Sequence, residues 1–204
     1  VMPVLDHLTK LTHLSLERFK FVDVEAIGES CPKLQSLKLS KILSFCNTKL
    51  PRFPLLNLES LTLLNTRLCR VTETTLRSLL SSPPLSSLHL HSLPCLSDQL
   101  LLSLLQAGRL SCLSSATLQY CPNLSAVGLS LLLASPSPLS SLYCWQCGLR
   151  EEEREAVSEA VREARLDLSL DWSRRGATGE EEAVDPHGDL PDLEEMDLHM
   201  DPHV

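Results

Sequence analysis

Aromatic residues are only 4% of this 204-residue chain, glycine occurs seven times, and neither long apolar runs nor clusters of basic residues are present. Each shortage excludes something. The longest apolar-rich runs, residues 99–105 (QLLLSLL) and 127–134 (VGLSLLLA), fall well short of the roughly 20 residues that cross a bilayer. Lys and Arg total 18 against 26 Asp and Glu and are dispersed, so no nucleic-acid surface is expected, because phosphate contacts need grouped cations. The surplus of −8 is local. Residues 1–172 carry 16 acidic and 16 basic groups, whereas residues 173–204 carry 10 acidic and 2 basic ones. A balanced body has no pull toward an anionic membrane. The first ten residues, VMPVLDHLTK, lack the basic start and apolar stretch of a signal peptide. Eight cysteines are too sparse for a small secreted disulfide scaffold, which points to a reducing cytoplasmic or nuclear compartment. The first residue is not Met and the chain opens inside a pattern, so it reads as part of a longer protein.

Leucine is abundant, with 47 residues, followed by serine with 26. The leucines repeat. They read Leu11-x-x-Leu14-x-Leu16, Leu34-x-x-Leu37-x-Leu39, Leu58-x-x-Leu61-x-Leu63 and Leu85-x-x-Leu88-x-Leu90, then Leu113-x-x-Ala116-x-Leu118 and Leu139-x-x-Leu142-x-Cys144. A weaker seventh copy is Arg165-x-x-Leu168-x-Leu170, and an eighth, after a gap, is Leu193-x-x-Met196-x-Leu198. The first seven start 23, 24, 27, 28, 26 and 26 residues apart, the period of leucine-rich repeats. Alternation inside each copy signals a strand, and residues 71–80 and 126–133 between copies have helical spacing. One copy cannot bury its apolar face alone, so neighbours must stack around a shared core. The expected fold is α/β: a curved, right-handed solenoid over 1–172 with parallel strands on the concave side and helices on the convex side. Cys31-Pro32, Pro83-Pro84 and Pro136-x-Pro138 stand where each helix must end and the chain extend again. Residues 173–189 have no apolar period and read as an acidic, disordered insertion or linker, and 190–204 as a terminal repeat strand and tail.

Within the copies, Cys121-Pro-Asn-Leu124-Ser125-Ala126-Val-Gly128-Leu129 resembles the cysteine-containing subclass of leucine-rich repeat, whose pattern is Cys-x-x-Ile-Thr-Asp-x-Gly-Leu. Leu93-x-x-Leu96-Ser97-Asp98, Val71-Thr72-Glu73 and residues 22–39 (VDVEAIGESCPKLQSLKL) resemble parts of the same pattern. That subclass is typical of the F-box/leucine-rich-repeat substrate receptors of Skp–cullin–F-box ubiquitin ligases. The resemblance implies a role in substrate recognition, with Skp and cullin subunits engaged through a region not in this chain. One copy departs: Cys147-Gly148-Leu149, followed by a charged helix over 150–165, looks more like ribonuclease-inhibitor or NOD-like-receptor repeats, which imply an inhibitory or sensor module.

No Gly-x-Ser-x-Gly, His-Glu-x-x-His, P-loop or Gly-x-Gly-x-x-Gly motif occurs, so neither an enzyme nor a cofactor is expected. Cys144-x-x-Cys147 lacks the second pair of a structural zinc site; the repeat instead puts Cys144 in the core and turns Cys121 and Cys147 inward toward backbone. His89 and His91 share one strand face but have no evident third ligand, so exposed polar surface is the reading preferred over a metal-dependent enzyme. What remains is a surface for a protein partner. Strand alternation projects the third, fifth and seventh residues of each copy onto the concave face. Its early copies are small and polar (Ser36, Ser60, Thr62), whereas the later ones gather His89, His91, Thr117, Gln119, Ser141, Tyr143 and Trp145, with Asp171 beyond. Tyr and Trp there suit a binding hot spot, although Trp145 has the alternative of folding over the sheet edge. In the helix over 150–165, Ala156, Val157, Ala160, Val161 and Ala164 form the packing stripe of an ordinary outer helix.

Overall fold

A computed structural model describes residues 8–45, 55–64, 71–81 and 84–163. The chain divides into two compact units, Val1–Trp172 and Ser173–Val204, and all described residues belong to the first. The strand copies near 165–170 and 193–198, Asp171, residues 164–165 of the charged helix and the acidic segment lie outside the described residues.

Five-residue strands form at the six leading copies: β1 (His13–Glu17), β3 (Ser36–Ser40), β5 (Ser60–Leu64), β6 (Ser87–His91), β7 (Ser115–Gln119) and β8 (Ser141–Trp145). They make one parallel sheet in the order β1-β3-β5-β6-β7-β8, so each strand pairs with the next copy along the chain. Helices α1 (Val24–Ser30), α2 (Glu73–Ser81), α3 (Asp98–Gln106), α4 (Ala126–Leu133) and α5 (Glu151–Glu163) alternate with the strands. Two very short strands, β2 (Phe21–Val22) and β4 (Ser44–Phe45), pair parallel beside the main sheet. The architecture is α/β with a mostly parallel sheet.

The register makes the repeat physical. His13, Ser36, Ser60, Ser87, Ser115 and Ser141 lie side by side, and so do Leu14, Leu37, Leu61, Leu88, Ala116 and Leu142. One face of the sheet therefore presents stacked leucines, and the helices bury it. Leu37, Leu61, Leu90 and Leu118 join Ile27, Leu76, Leu79, Leu101, Leu129 and Val157 in a single buried cluster. Burying a leucine fully contributes about 1.5–3 kcal/mol, so this shared core dominates the stability of the stack.

Serine ties one copy to the next. The Ser86 hydroxyl donates to the Glu59 carbonyl at 3.1 Å, Ser114 to the Ser86 carbonyl at 2.9 Å, and Ser140 to the Ser114 carbonyl at 3.1 Å. The same carbonyls accept paired backbone N–H groups, as Glu59 does from Ser86 and Ser87. Asparagine makes a parallel tie: Asn57 Nδ2 donates to the Pro32 carbonyl at 2.9 Å and Asn123 Nδ2 to the Pro94 carbonyl at 2.6 Å. Asp98 joins two helices. It opens α3 and accepts from both the backbone N–H (2.9 Å) and hydroxyl (2.6 Å) of Ser125, the N-cap of α4. Gly128 permits that approach, since a Cβ there would overlap the Asp98 carboxylate.

Helix boundaries follow their caps. Asp23 accepts from the Glu25 and Ala26 N–H groups, and Ser97 from Leu100 N–H, satisfying donors that the first turn leaves free. The helix expected over 71–80 begins at Glu73, because Thr72 Oγ1 accepts from Thr75 N–H and so stands in the capping place. The charged helix begins after Arg150, whose N–H donates to Glu153 Oε2 at 2.8 Å. Its stripe needs a correction. Val157 and Val161 are buried, but Ala156 is exposed, because its methyl lies on the flank turned away from the core. Ser40, expected on the open face, is buried where the chain turns out of β3.

Every strand of the six-stranded sheet except β5, whose following residues are outside the described set, leaves by one device. Arg18, Lys41, Ser92, Tyr120 and Gln146 each follow a strand and have φ between 48° and 60°. Arg18, Lys41, Ser92 and Tyr120 donate their N–H groups to the last carbonyl of the neighbouring strand at 2.9 Å. Left-handed backbone costs an L-residue roughly 1–2 kcal/mol and glycine little. Gln146→Gly is thus expected to raise stability by about 0.5–1 kcal/mol after the larger unfolded-state entropy of glycine is subtracted. A denaturant titration showing a lower midpoint would contradict the strain.

Candidate functional site: the open face of the sheet

The sheet face opposite the helices is lined by the alternate residues of each strand. In β6, β7 and β8 the buried and half-buried positions alternate without a break. Register places His89, Thr117 and Tyr143 in one row and His91, Gln119 and Trp145 in the next, with Ser87, Ser115 and Ser141 at the strand starts. Seven of the eight residues read from the sequence are thereby brought together on three adjacent strands; Asp171 lies outside the described residues.

Two features differ from the sequence reading. His89 and His91 are half-buried rather than exposed, because flanking strands wall in each imidazole. Trp145 packs against a ring that strand alternation did not place on this face. Its ring meets Tyr120 edge-on, 4.8 Å between centroids at 73°, and Tyr120 meets His91 at 5.0 Å and 61°. Tyr120 was not anticipated. It stands one residue past β7, and its left-handed φ of 53° swings it out of the alternating register. The only trace in the sequence was its place just beyond the last residue of that copy.

The row is electrostatically unfinished. His89 Nε2 and Trp145 Nε1 are shielded from solvent yet have no hydrogen-bond partner among the described residues. A buried polar group left unpaired costs about 1–3 kcal/mol. Burial also holds the His89 imidazole below the ordinary histidine range; the Gln119 side chain bonded to it opposes that shift, while His91 and Lys38 add to it. A histidine kept neutral by folding stabilises the native state above its unfolded pKa of about 6.5, and that contribution fades as pH falls through the lower folded value. Unfolding measured against a His89→Gln variant should therefore show wild type losing stability relative to the variant as pH falls from about 7 to 5. A flat difference would show that folding does not disfavour the charged ring.

Cys121, Cys144 and Cys147 sit where the repeat expects them. Cys144 is buried on the core side of β8. Cys121 Sγ lies 3.4 Å from the Gln119 carbonyl, and Cys147 Sγ 3.6 Å from Leu118 O and 3.8 Å from Trp145 O. The Cys121 and Cys144 thiols both reach the Cys147 sulfur, so Cys147 is the first of the three to ionise while the other two are pushed up. Among the described residues, no three His, Cys, Asp or Glu side chains are arranged to hold a metal ion. No described helix is long and apolar enough to cross a membrane.

No protein-family model matches the chain, and neither does any curated protein sequence. The internal repeat, the register and the side chains on the open face carry the functional reading.

Proposed function

We propose that this chain is a cysteine-containing leucine-rich-repeat solenoid whose open, concave face captures a protein partner, without enzymatic activity of its own. The observation behind this is the half-buried row of His89, His91, Gln119, Tyr143 and Trp145, brought together on adjacent strands. A docking chain would cover the half-buried rings of that row. Aromatic side chains set among well-packed neighbours are the usual anchors of protein interfaces.

The role we assign is substrate recognition for a Skp–cullin–F-box type ubiquitin ligase, acting by position. The repeats hold the target, and Skp and cullin subunits are recruited through a region outside these 204 residues. The test is affinity purification of the protein carrying this chain from cytoplasm and nucleus. Co-purification of Skp and cullin subunits, together with a target that accumulates when the protein is depleted, is expected. A target that stays at constant abundance and a purification free of cullin would refute it. A second reading has one observation in its favour: α5 spans 13 residues against 7–9 for the other helices and follows Cys147-Gly148-Leu149, as in inhibitor and sensor repeats. That role would block a bound partner rather than deliver it for degradation.

A further inference from the structure

Three thiols converge at the C-terminal end of β7 and β8, and the docking role makes no use of them. We infer that Cys121 and Cys147 are a dithiol modification site, oxidised by hydroperoxides to a disulfide that ties neighbouring repeats together. The two residues are equivalents in adjacent copies. Each follows its strand by two positions, the strand ends Gln119 and Trp145 are in register, and the intervening Tyr120 and Gln146 share the left-handed turn. Adjacent strands run about 4.8 Å apart, inside the window of roughly 4.4–6.8 Å between Cα atoms that a disulfide spans.

Local contacts hold that spacing past the strand ends. Gly148 N–H donates to the Cys121 carbonyl at 3.3 Å, and a Cβ on Gly148 would overlap the Pro122 carbonyl. The Cys121 sulfur lies within hydrogen-bonding reach of Cys147. Access separates the partners: Cys147 retains 9% exposure, whereas Cys121 has none and Cys144 1%. Cys147 is therefore the sulfur a small oxidant meets first, and a thiolate is the attacking form.

The step balances. The Cys147 thiolate attacks a peroxide oxygen, giving a sulfenic acid and hydroxide. The Cys121 thiol displaces the sulfenic hydroxyl, which leaves with the Cys121 proton as water, and the proton that Cys147 gave up on ionising converts the hydroxide into a second water. Two thiols lose two electrons and two protons, and one hydrogen peroxide becomes two waters. Cys144 faces the core and takes no part. The bridge withdraws Cys147 from the Leu118 and Trp145 carbonyls that it contacts when reduced, so it alters the turn immediately after Trp145.

The test treats the full reduced chain, carrying Cys112→Ser to remove an exposed thiol, with hydrogen peroxide and maps it after chymotrypsin cleavage at Tyr120, Tyr143 and Trp145. A Cys121–Cys147 linked peptide, lighter by two hydrogens and split by dithiothreitol, is expected. Cys121→Ser should abolish the link and leave Cys147 trapped by dimedone as its sulfenic acid, whereas Cys144→Ser should leave the link intact. A Cys144–Cys147 bridge, over-oxidised Cys147 without a bridge, or thiols that survive peroxide unreacted would each overturn the inference.

Discussion

Leu90→Ala lowers the unfolding free energy by about 3 kcal/mol, the expected consequence of emptying a fully buried position in the middle of the sheet. Leu90 packs between Leu63 and Leu118 of the flanking strands, beside Ala116, which occupies a place where most other copies carry leucine. The methyl of Ala116 already leaves an apolar void of about 10 Å³, lined by Leu88, Leu90, Leu118 and Leu132. A second deletion enlarges that void instead of being absorbed. The loss also has a direction. Strands and helices pair with their immediate neighbours in the stack, so weakening β6 uncouples β1–β5 from β7–β8 and broadens the unfolding transition. Val127→Ala, at a residue 63% exposed on α4, should change stability by less than about 0.5 kcal/mol. Equal effects at the two sites in a denaturant titration would contradict the shared core.

Trp145→Ala weakens partner capture by about 2 kcal/mol or more, roughly thirtyfold in the dissociation constant. It should also lower stability by about 1 kcal/mol, since the edge-on contact with Tyr120 goes with it. Tyr120→Phe separates the two effects: the ring remains to support Trp145, so binding should stay near wild type. Ser36→Ala, at the opposite end of the same face, removes no aromatic anchor and should bind normally. Titration of the purified partner by calorimetry checks all three. Intact binding by Trp145→Ala, combined with a large stability loss, would reduce that side chain to an edge-packing role.

Much of the fold was legible because its signal recurs. The spacing of Leu34, Leu37 and Leu39 is repeated at Leu58, Leu61 and Leu63, and periods of 23–28 residues bring equivalent leucines into the observed register. Helix α4 was readable to the residue, since Ser125 caps it and Leu129 and Leu132 return to the core one turn apart. Features built across copies were not readable. The hydroxyl ties of Ser86, Ser114 and Ser140 depend on a carbonyl 26–28 residues away, and no local pattern marks it. Strands β2 and β4 are two residues long, too short for any alternation to appear. On the open face, strand periodicity placed His89, Gln119 and Trp145 correctly. It could not find Tyr120, which leaves the strand before turning back, nor foresee that His89 Nε2 would be walled in by its neighbours. Ala156 was misassigned because alanine fits either flank of a helix and carries little information about which one is buried.

Docking on the helix-free face is the central claim, and hydrogen–deuterium exchange of the chain with and without its partner tests it most directly. Slowed exchange in β6, β7 and β8 and the turns at Ser92, Tyr120 and Gln146, with α3, α4 and α5 unchanged, is the expected result. Protection confined to the helices, or to residues 173–204, would contradict it.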